Sequence, residues 1–107
     1  GKTPFGIDCS GFTQMVYKIN GYKILRDAKD QATQGVTLSF IEESEPGDLA
    51  FFHNDNDEII HVGIILKDNH IIHASGKVRI DRLDQSGIYN NEKNKHTHSL
   101  RYIKKII

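Results

Sequence analysis

The chain carries a single cysteine, Cys9, and six histidines, the residue types from which thiol chemistry near neutral pH is built. A thiol attacks a carbonyl as thiolate, so it needs a base, and the base needs a partner that holds its ring in one orientation. His61 and His73 can supply both roles. They lie on two runs, Ile59 to Leu66 and Ile71 to Ala74, that read as antiparallel strands joined across Lys67-Asp68-Asn69. If that loop has three residues, Leu66 faces His70 and His73 falls opposite Gly63. The two imidazoles then share one face a diagonal step apart, roughly 7 Å at the backbone and within reach of each other. Gly63 leaves that face uncrowded. A two-residue turn would put the rings on opposite faces.

Cys9 needs an environment of its own. Phe12, Met15, Val16 and Ile19 repeat at helical spacing, Asp8 stands before them as an N-cap, and Asn20-Gly21 follows as a stop. The spacing predicts a helix from about Cys9 to Ile19 with Cys9 in its first turn. Unpaired N–H groups and the macrodipole at such an end lower a thiol pKa and can receive an oxyanion. The competing reading of a lone cysteine is a small buried core residue.

The elements that would position these residues follow in order. A short helix is expected after Asp27, through Ala28, Gln31 and Ala32 to Gly35. Pro46-Gly47 is a turn, Leu49 to Phe52 a buried strand, and Asn54 to Asp57 a hairpin loop. On the strand from Ile59, alternation sets His61 with Ile59, Gly63 and Ile65, so that His61 points out from the strand. Val78 to Ile80 and Leu100 to Ile107 extend the sheet, while Asn90 to His98 reads as a solvated loop. Helices first and antiparallel strands after make an α+β pattern.

Bulk properties exclude several classes. Lys plus Arg equals Asp plus Glu at 14 each, so no uniform field holds a polyanion, and nucleic acid is not an expected partner. No apolar run approaches the roughly 20 residues of a membrane span. One cysteine cannot form an intrachain disulfide. His70 and His73 point to opposite faces of a strand, and His96 and His98 sit in a loop without an acidic partner, so neither a metal nor another cofactor is expected. His53, His70, His96 and His98 read as surface residues.

At Asp8-Cys9-Ser10-Gly11-Phe12, and then at Pro46-Gly47-Asp48-Leu49, His61-Val62-Gly63-Ile64 and Ile72-His73-Ala74, the chain resembles the NlpC-type cell-wall cysteine peptidases. The resemblance implies a papain-like α+β domain over residues 1–107, with N-terminal helices packed on an antiparallel sheet. It implies a Cys9, His61, His73 triad that cleaves the isopeptide between γ-D-glutamate and the diamino acid of peptidoglycan stem peptides. Asp8 and Ser10 take groove positions by the same resemblance, and Asp27, in Arg26-Asp27-Ala28, takes a position where related endopeptidases hold a free substrate amine. A secreted or cell-envelope location, in periplasm or cell wall, is implied too. The sequence opens on Gly1-Lys2-Thr3-Pro4-Phe5-Gly6, turn chemistry with no element before it. Family members carry a Tyr and a Trp-Gly-Gly just upstream, so a longer protein with an upstream targeting domain is expected. An acyltransferase, or a non-catalytic peptidoglycan-binding module of the same fold, are the alternatives.

Overall fold

Helix α1 (Cys9–Ile19) begins where its cap predicts, with Asp8 Oδ1 accepting the Gly11 N–H at 2.7 Å and so satisfying one of the donors orphaned at a helix start. Our computed structural model describes residues 8–107, so the turn chemistry read at residues 1–6 lies outside the described residues. The helix ends at Asn20 and Gly21. Its buried face is rotated from the apolar stripe expected. Phe12 is buried, but Met15 and Ile19 are 44% and 75% exposed, and Ser10, Thr13 and Tyr17 are buried instead.

The reason is a polar contact that apolar periodicity does not register. Gln31, at the end of α2 (Ala28–Gln31), is fully buried. It accepts from Thr13 Oγ1 at 2.8 Å and donates to the carbonyls of Ser10 at 3.0 Å and Leu25 at 2.8 Å. Desolvating an amide is tolerable when its bonds are made. Gln31 thereby ties α1, α2 and the segment between them. Tyr17 turns inward to donate to the Gly47 carbonyl.

Seven strands follow: β1 (Val36–Leu38), β2 (Leu49–His53), β3 (Ile59–Leu66), β4 (His70–Ser75), β5 (Lys77–Asp84), β6 (Gly87–Asn90) and β7 (Lys95–Lys105). All pairings are antiparallel, in the order β1-β7-β2-β3-β4-β5-β6, and β6 also pairs with β7. The strands β2 to β7 therefore close into a six-membered ring, with β1 added outside on β7. Alternation along each strand divides the apolar residues between two cores. Ala50, Phe52, Ile65, Ile71, Ile88 and Ile103 fill the ring. Leu49, Phe51, Val62, Ile64 and Ala74 point outward and pack with Phe12 and Tyr17 of α1. Phe51 and Phe52 are neighbours, are both fully buried and serve one core each. Burial of such a side chain contributes about 1.5–3 kcal/mol.

The α+β class and the placement of helices on an antiparallel sheet agree with the sequence reading. The loop expected from Asn90 to His98 does not. Its centre is a four-residue turn, but β6 runs into it and β7 starts at Lys95. This stretch has strand conformation without an apolar alternation, because backbone pairing of residues 95–98 with β6 holds it. Gly87, at φ 144, permits the closure: a Cβ there would meet the His98 carbonyl oxygen at 1.7 Å. No helix among the described residues is long and apolar enough to cross a membrane.

Candidate active site

The β3–β4 turn has the three-residue form, with Asp68 and Asn69 at φ 59 and 57, and the register pairs Leu66 with His70 and Gly63 with His73. His61 and His73 therefore share a face, and His61 Nε2 lies 2.8 Å from His73 Nδ1 with the rings nearly perpendicular. That face is the interior of the ring. His61 is 6% and His73 1% exposed, so His61 points inward, not out from the strand as the alternation alone suggested. Gly63 is the reason the rings can meet. A Cβ on it would lie 2.9 Å from His73 Cβ and 2.6 Å from Ile71 Cδ1.

Two further residues complete the cluster, and the sequence reading found neither. Asp81 on β5 accepts from His73 Nε2 at 2.8 Å. Its carboxylate is gripped by Arg79 through Nε at 2.8 Å and Nη2 at 3.0 Å, and Arg79 also reaches Glu92 at 3.0 Å. The pairing of His73 with Arg79 and Ile71 with Asp81 sets Asp81 one diagonal step from His73. The rule that brought His61 to His73 would have found it had the expected strand run one residue past Ile80. His98, read as a surface residue, is carried by β7 onto the face of His61, stacked at 4.3 Å between centroids and 25° between planes. His53, His70 and His96 stay outside the cluster, and His96 pairs with Asp84 at 2.8 Å.

Burial governs the electrostatics here. It pushes His61 down to about 3, helped by the neighbouring His98 and His73. Burial likewise pushes His98 down to about 4, with His73 adding to the effect. His73 is lowered by burial, and the Asp81 carboxylate offsets part of that. Burial tends to raise Asp81, but its bonds to Arg79 and His73 outweigh this and hold it below the ordinary carboxylate range. Near neutral pH His61 is thus an uncharged imidazole, with burial disfavouring its protonated form.

Cys9 opens α1, half-buried against the outer core, and its thiol is within hydrogen-bonding influence of the backbone of Val62, the residue after His61. The expectation of a lowered thiol pKa is overturned. Burial raises it, Asp8 adds to the rise, and the backbone groups of Val62, Ser10 and Cys9 offset it incompletely. The helix-end contribution is present, but desolvation exceeds it. Asp8 and Ser10 flank the thiol and are bridged by Arg26, which donates to Asp8 Oδ2 at 2.8 Å and Ser10 Oγ at 2.9 Å. Asp27 is exposed at the start of α2 and makes no side-chain cap there. Among the described residues, no group of three or more His, Cys, Asp or Glu is placed to hold a metal ion. A neutral thiol beside the backbone of Val62, next in sequence to a neutral, oriented imidazole, is an arrangement suited to acyl transfer by general-base activation.

Comparison with known proteins points the same way. The model of the NlpC/P60 family matches residues 1–100. The gamma-D-glutamyl-L-lysine dipeptidyl-peptidase of Bacillus cereus is 40% identical over 76 residues, covering 69% of this chain and 22% of that protein. The probable endopeptidase NlpC of Escherichia coli is 34% identical over 91 residues, covering 83% of this chain and 58% of that protein. A crystal structure of an NlpC/P60 family protein from Bacillus cereus superposes with a TM-score of 0.74 at 29% identity, over 95% of this chain and 32% of that one. The chain thus spans about a fifth of the length of the first of these relatives.

Proposed function

This chain belongs to the NlpC/P60 family, and on that premise we propose that it is a cysteine peptidase domain acting on the γ-D-glutamyl to diamino acid bond of peptidoglycan stem peptides. Cys9 is the nucleophile, His61 the base and His73 the residue that orients the base. The observation that carries this reading is the 2.8 Å contact between His61 and His73, made next to the strand residue whose backbone touches the Cys9 thiol.

Each step follows from the neutral resting state. His61 takes the thiol proton as sulfur forms its bond to the γ-carbonyl carbon, and the carbonyl electron pair moves onto oxygen. N–H groups at the start of α1 receive that oxyanion. The C–N bond then breaks, and the proton held by His61 goes to the departing amine. Water attacks the resulting thioester with His61 again accepting a proton, and the acid leaves as the thiol is restored. General acid–base assistance of this kind is worth about 10²–10⁴-fold.

The relatives' names support the substrate class: one is a gamma-D-glutamyl-L-lysine dipeptidyl-peptidase. We assign Asp8 and Ser10 to the groove beside Cys9, and Asp27 to pairing with a free substrate α-amine. A location outside the cytoplasm, secreted or in the envelope, fits this substrate. With a formal charge of zero, attraction to the anionic wall must come from other parts of the protein, such as an upstream targeting domain.

The test is incubation of the protein, as this chain and at full length, with L-Ala-γ-D-Glu-diamino acid peptides, with products identified by mass. Cleavage after the glutamyl residue, absent in Cys9→Ala, is the expected result. Turnover by the Cys9→Ala protein, or none by either length, would overturn the assignment. Acetylating the peptide's amine tests Asp27: equal cleavage of both forms removes it from the site.

A further inference from the structure

Asp81 stands outside the Cys9, His61, His73 set, yet it terminates the line of hydrogen bonds that starts at His61. We propose that Asp81 is a positioning residue that acts through His73 to fix the protonation pattern of both imidazoles, leaving Nδ1 of His61 as the bare nitrogen that receives the thiol proton. The proposal rests on the reading of Cys9 and His61 as nucleophile and base.

Counting donors and acceptors gives the pattern. Arg79 offers the carboxylate only donors, at Nε and Nη2, and keeps it ionised. An ionised carboxylate accepts and cannot donate. The 2.8 Å contact with His73 Nε2 therefore requires the proton on Nε2. Burial keeps His73 neutral, so its Nδ1 is bare. The contact between His73 Nδ1 and His61 Nε2 must then be donated by His61 Nε2. His61 is neutral as well, and its one remaining ring nitrogen, Nδ1, is left without a proton.

Without Asp81 this order has no origin. Two neutral imidazoles joined by one hydrogen bond satisfy that bond in either direction, and the reversed direction puts the proton on Nδ1 of His61, where it can accept nothing from a thiol. The carboxylate breaks the symmetry two residues away from the chemistry. It also stabilises the positive charge that passes onto His61 as the thiol ionises, because His73 can share that charge with a fixed anion. Arg79 and its second partner Glu92 hold that anion still.

Asp81→Asn and Asp81→Glu separate this role from a purely structural one. An amide can turn either its oxygen or its NH₂ to His73, so the bias is lost, whereas Glu keeps an obligate acceptor. A cavity of about 100 Å³, bordered by Asp81, Arg79, Asn90 and Lys93, has room for the extra methylene. The readout is the tautomer of His61 and His73 by nitrogen-15 NMR of imidazole-labelled protein, beside kcat and KM on the stem peptide. We expect the wild-type and Glu proteins to show Nε2–H on both rings. The Asn protein should show mixed or reversed tautomers, with kcat reduced about 10²-fold or more and KM little changed. A wild-type His61 protonated on Nδ1 would overturn the proposal, as would an Asn protein with unaltered tautomers, whatever its stability. Should Asp81→Asn fail to fold, a wild-type His61 or an Asp81→Glu His61 protonated on Nδ1 still overturns the proposal. The tautomers are read without substrate, so a protein that cleaves no stem peptide refutes the peptidase reading and leaves this test standing.

Discussion

Replacing Gly63 with Ala places a methyl group where the hairpin has no space for one. The new carbon would lie 2.6 Å and 2.8 Å from Ile71 Cδ1 and Cγ1, and 2.9 Å from His73 Cβ. The Ile71 contacts are with a side chain that can turn, although it is fully buried in the ring core. The His73 contact is with an atom fixed to the β4 backbone, so β4 or the ring itself must yield by about half an ångström to reach ordinary contact near 3.4 Å. Overpacking of this kind costs about 1–3 kcal/mol. The displacement falls on the 2.8 Å bond between the imidazoles. A 1 Å misplacement at a reacting site can cost about 10²-fold, so half of that distance should cost roughly tenfold in kcat. Gly76→Ala is the matched control. It has open space around it but φ 74, and Ala in that backbone region costs about 1–2 kcal/mol. The assay is thermal unfolding of both variants together with kcat and KM on a stem peptide. Gly63→Ala should lose stability and turnover, and Gly76→Ala stability alone. Full turnover by Gly63→Ala, or an equal loss in both variants at equal stability, would refute the argument.

Cys9 in the free protein should alkylate at a rate that keeps climbing past pH 9, because burial raises its thiol above the ordinary value of 9.0; an early plateau would show that the helix end prevails. The same shift means that the unfolded chain loses this proton first, so stability should fall as pH rises above 9, and Cys9→Ala should flatten the alkaline limb of a denaturation series. His61 and His98 are depressed to about 3 and about 4 from an ordinary 6.5. The unfolded chain therefore binds those protons first, and stability is full above pH 6.5 and declines as pH falls toward 4. His98→Phe retains a ring over His61 and should make that decline shallower, as read by urea unfolding at several pH values. Arg26→Ala breaks an ion pair that is substantially exposed, so it should cost under about 1 kcal/mol of stability. It should also slow Cys9 alkylation, since it removes a guanidinium that offsets the Asp8 charge beside the thiol.

What was legible in the sequence was local. The Asp8 cap, the extent of α1 and the His61–His73 pairing each depend on a few consecutive residues or on the length of one turn, and all three stand in the structure as expected. The misreadings share one cause, which is dependence on distant partners. Met15 and Ile19 look like core residues until Gln31, on another helix, takes the other face of α1. His98 looks exposed until β7 brings it to His61. A thiol at a helix start looks acidic until the sheet behind it removes water. Asp81 is an intermediate case. Its position follows from the β4–β5 hairpin by the same diagonal rule, but its importance depends on the Arg79 grip that keeps it charged.

The closing of the ring through β7 also bears on how the protein is made. β7 pairs with β1, β2 and β6, joining Val36 to Lys105 and Gly87 to Ser99. Synthesis runs from the N-terminus, so α1, α2 and the hairpins from β2 to β6 emerge while β2 and β6 are still unpaired edges. Such edges are open to association with other chains. The pairings of β7 with β1 and β2, far apart in sequence, are slow to find. During that interval Cys9, His61 and His73 already exist, but the His98 ring that covers His61 and the strand that seals the interior do not. A nascent chain therefore holds the reactive groups in a wet, unordered site. The ordered His61–His73–His98 cluster arrives only when β7 closes the ring.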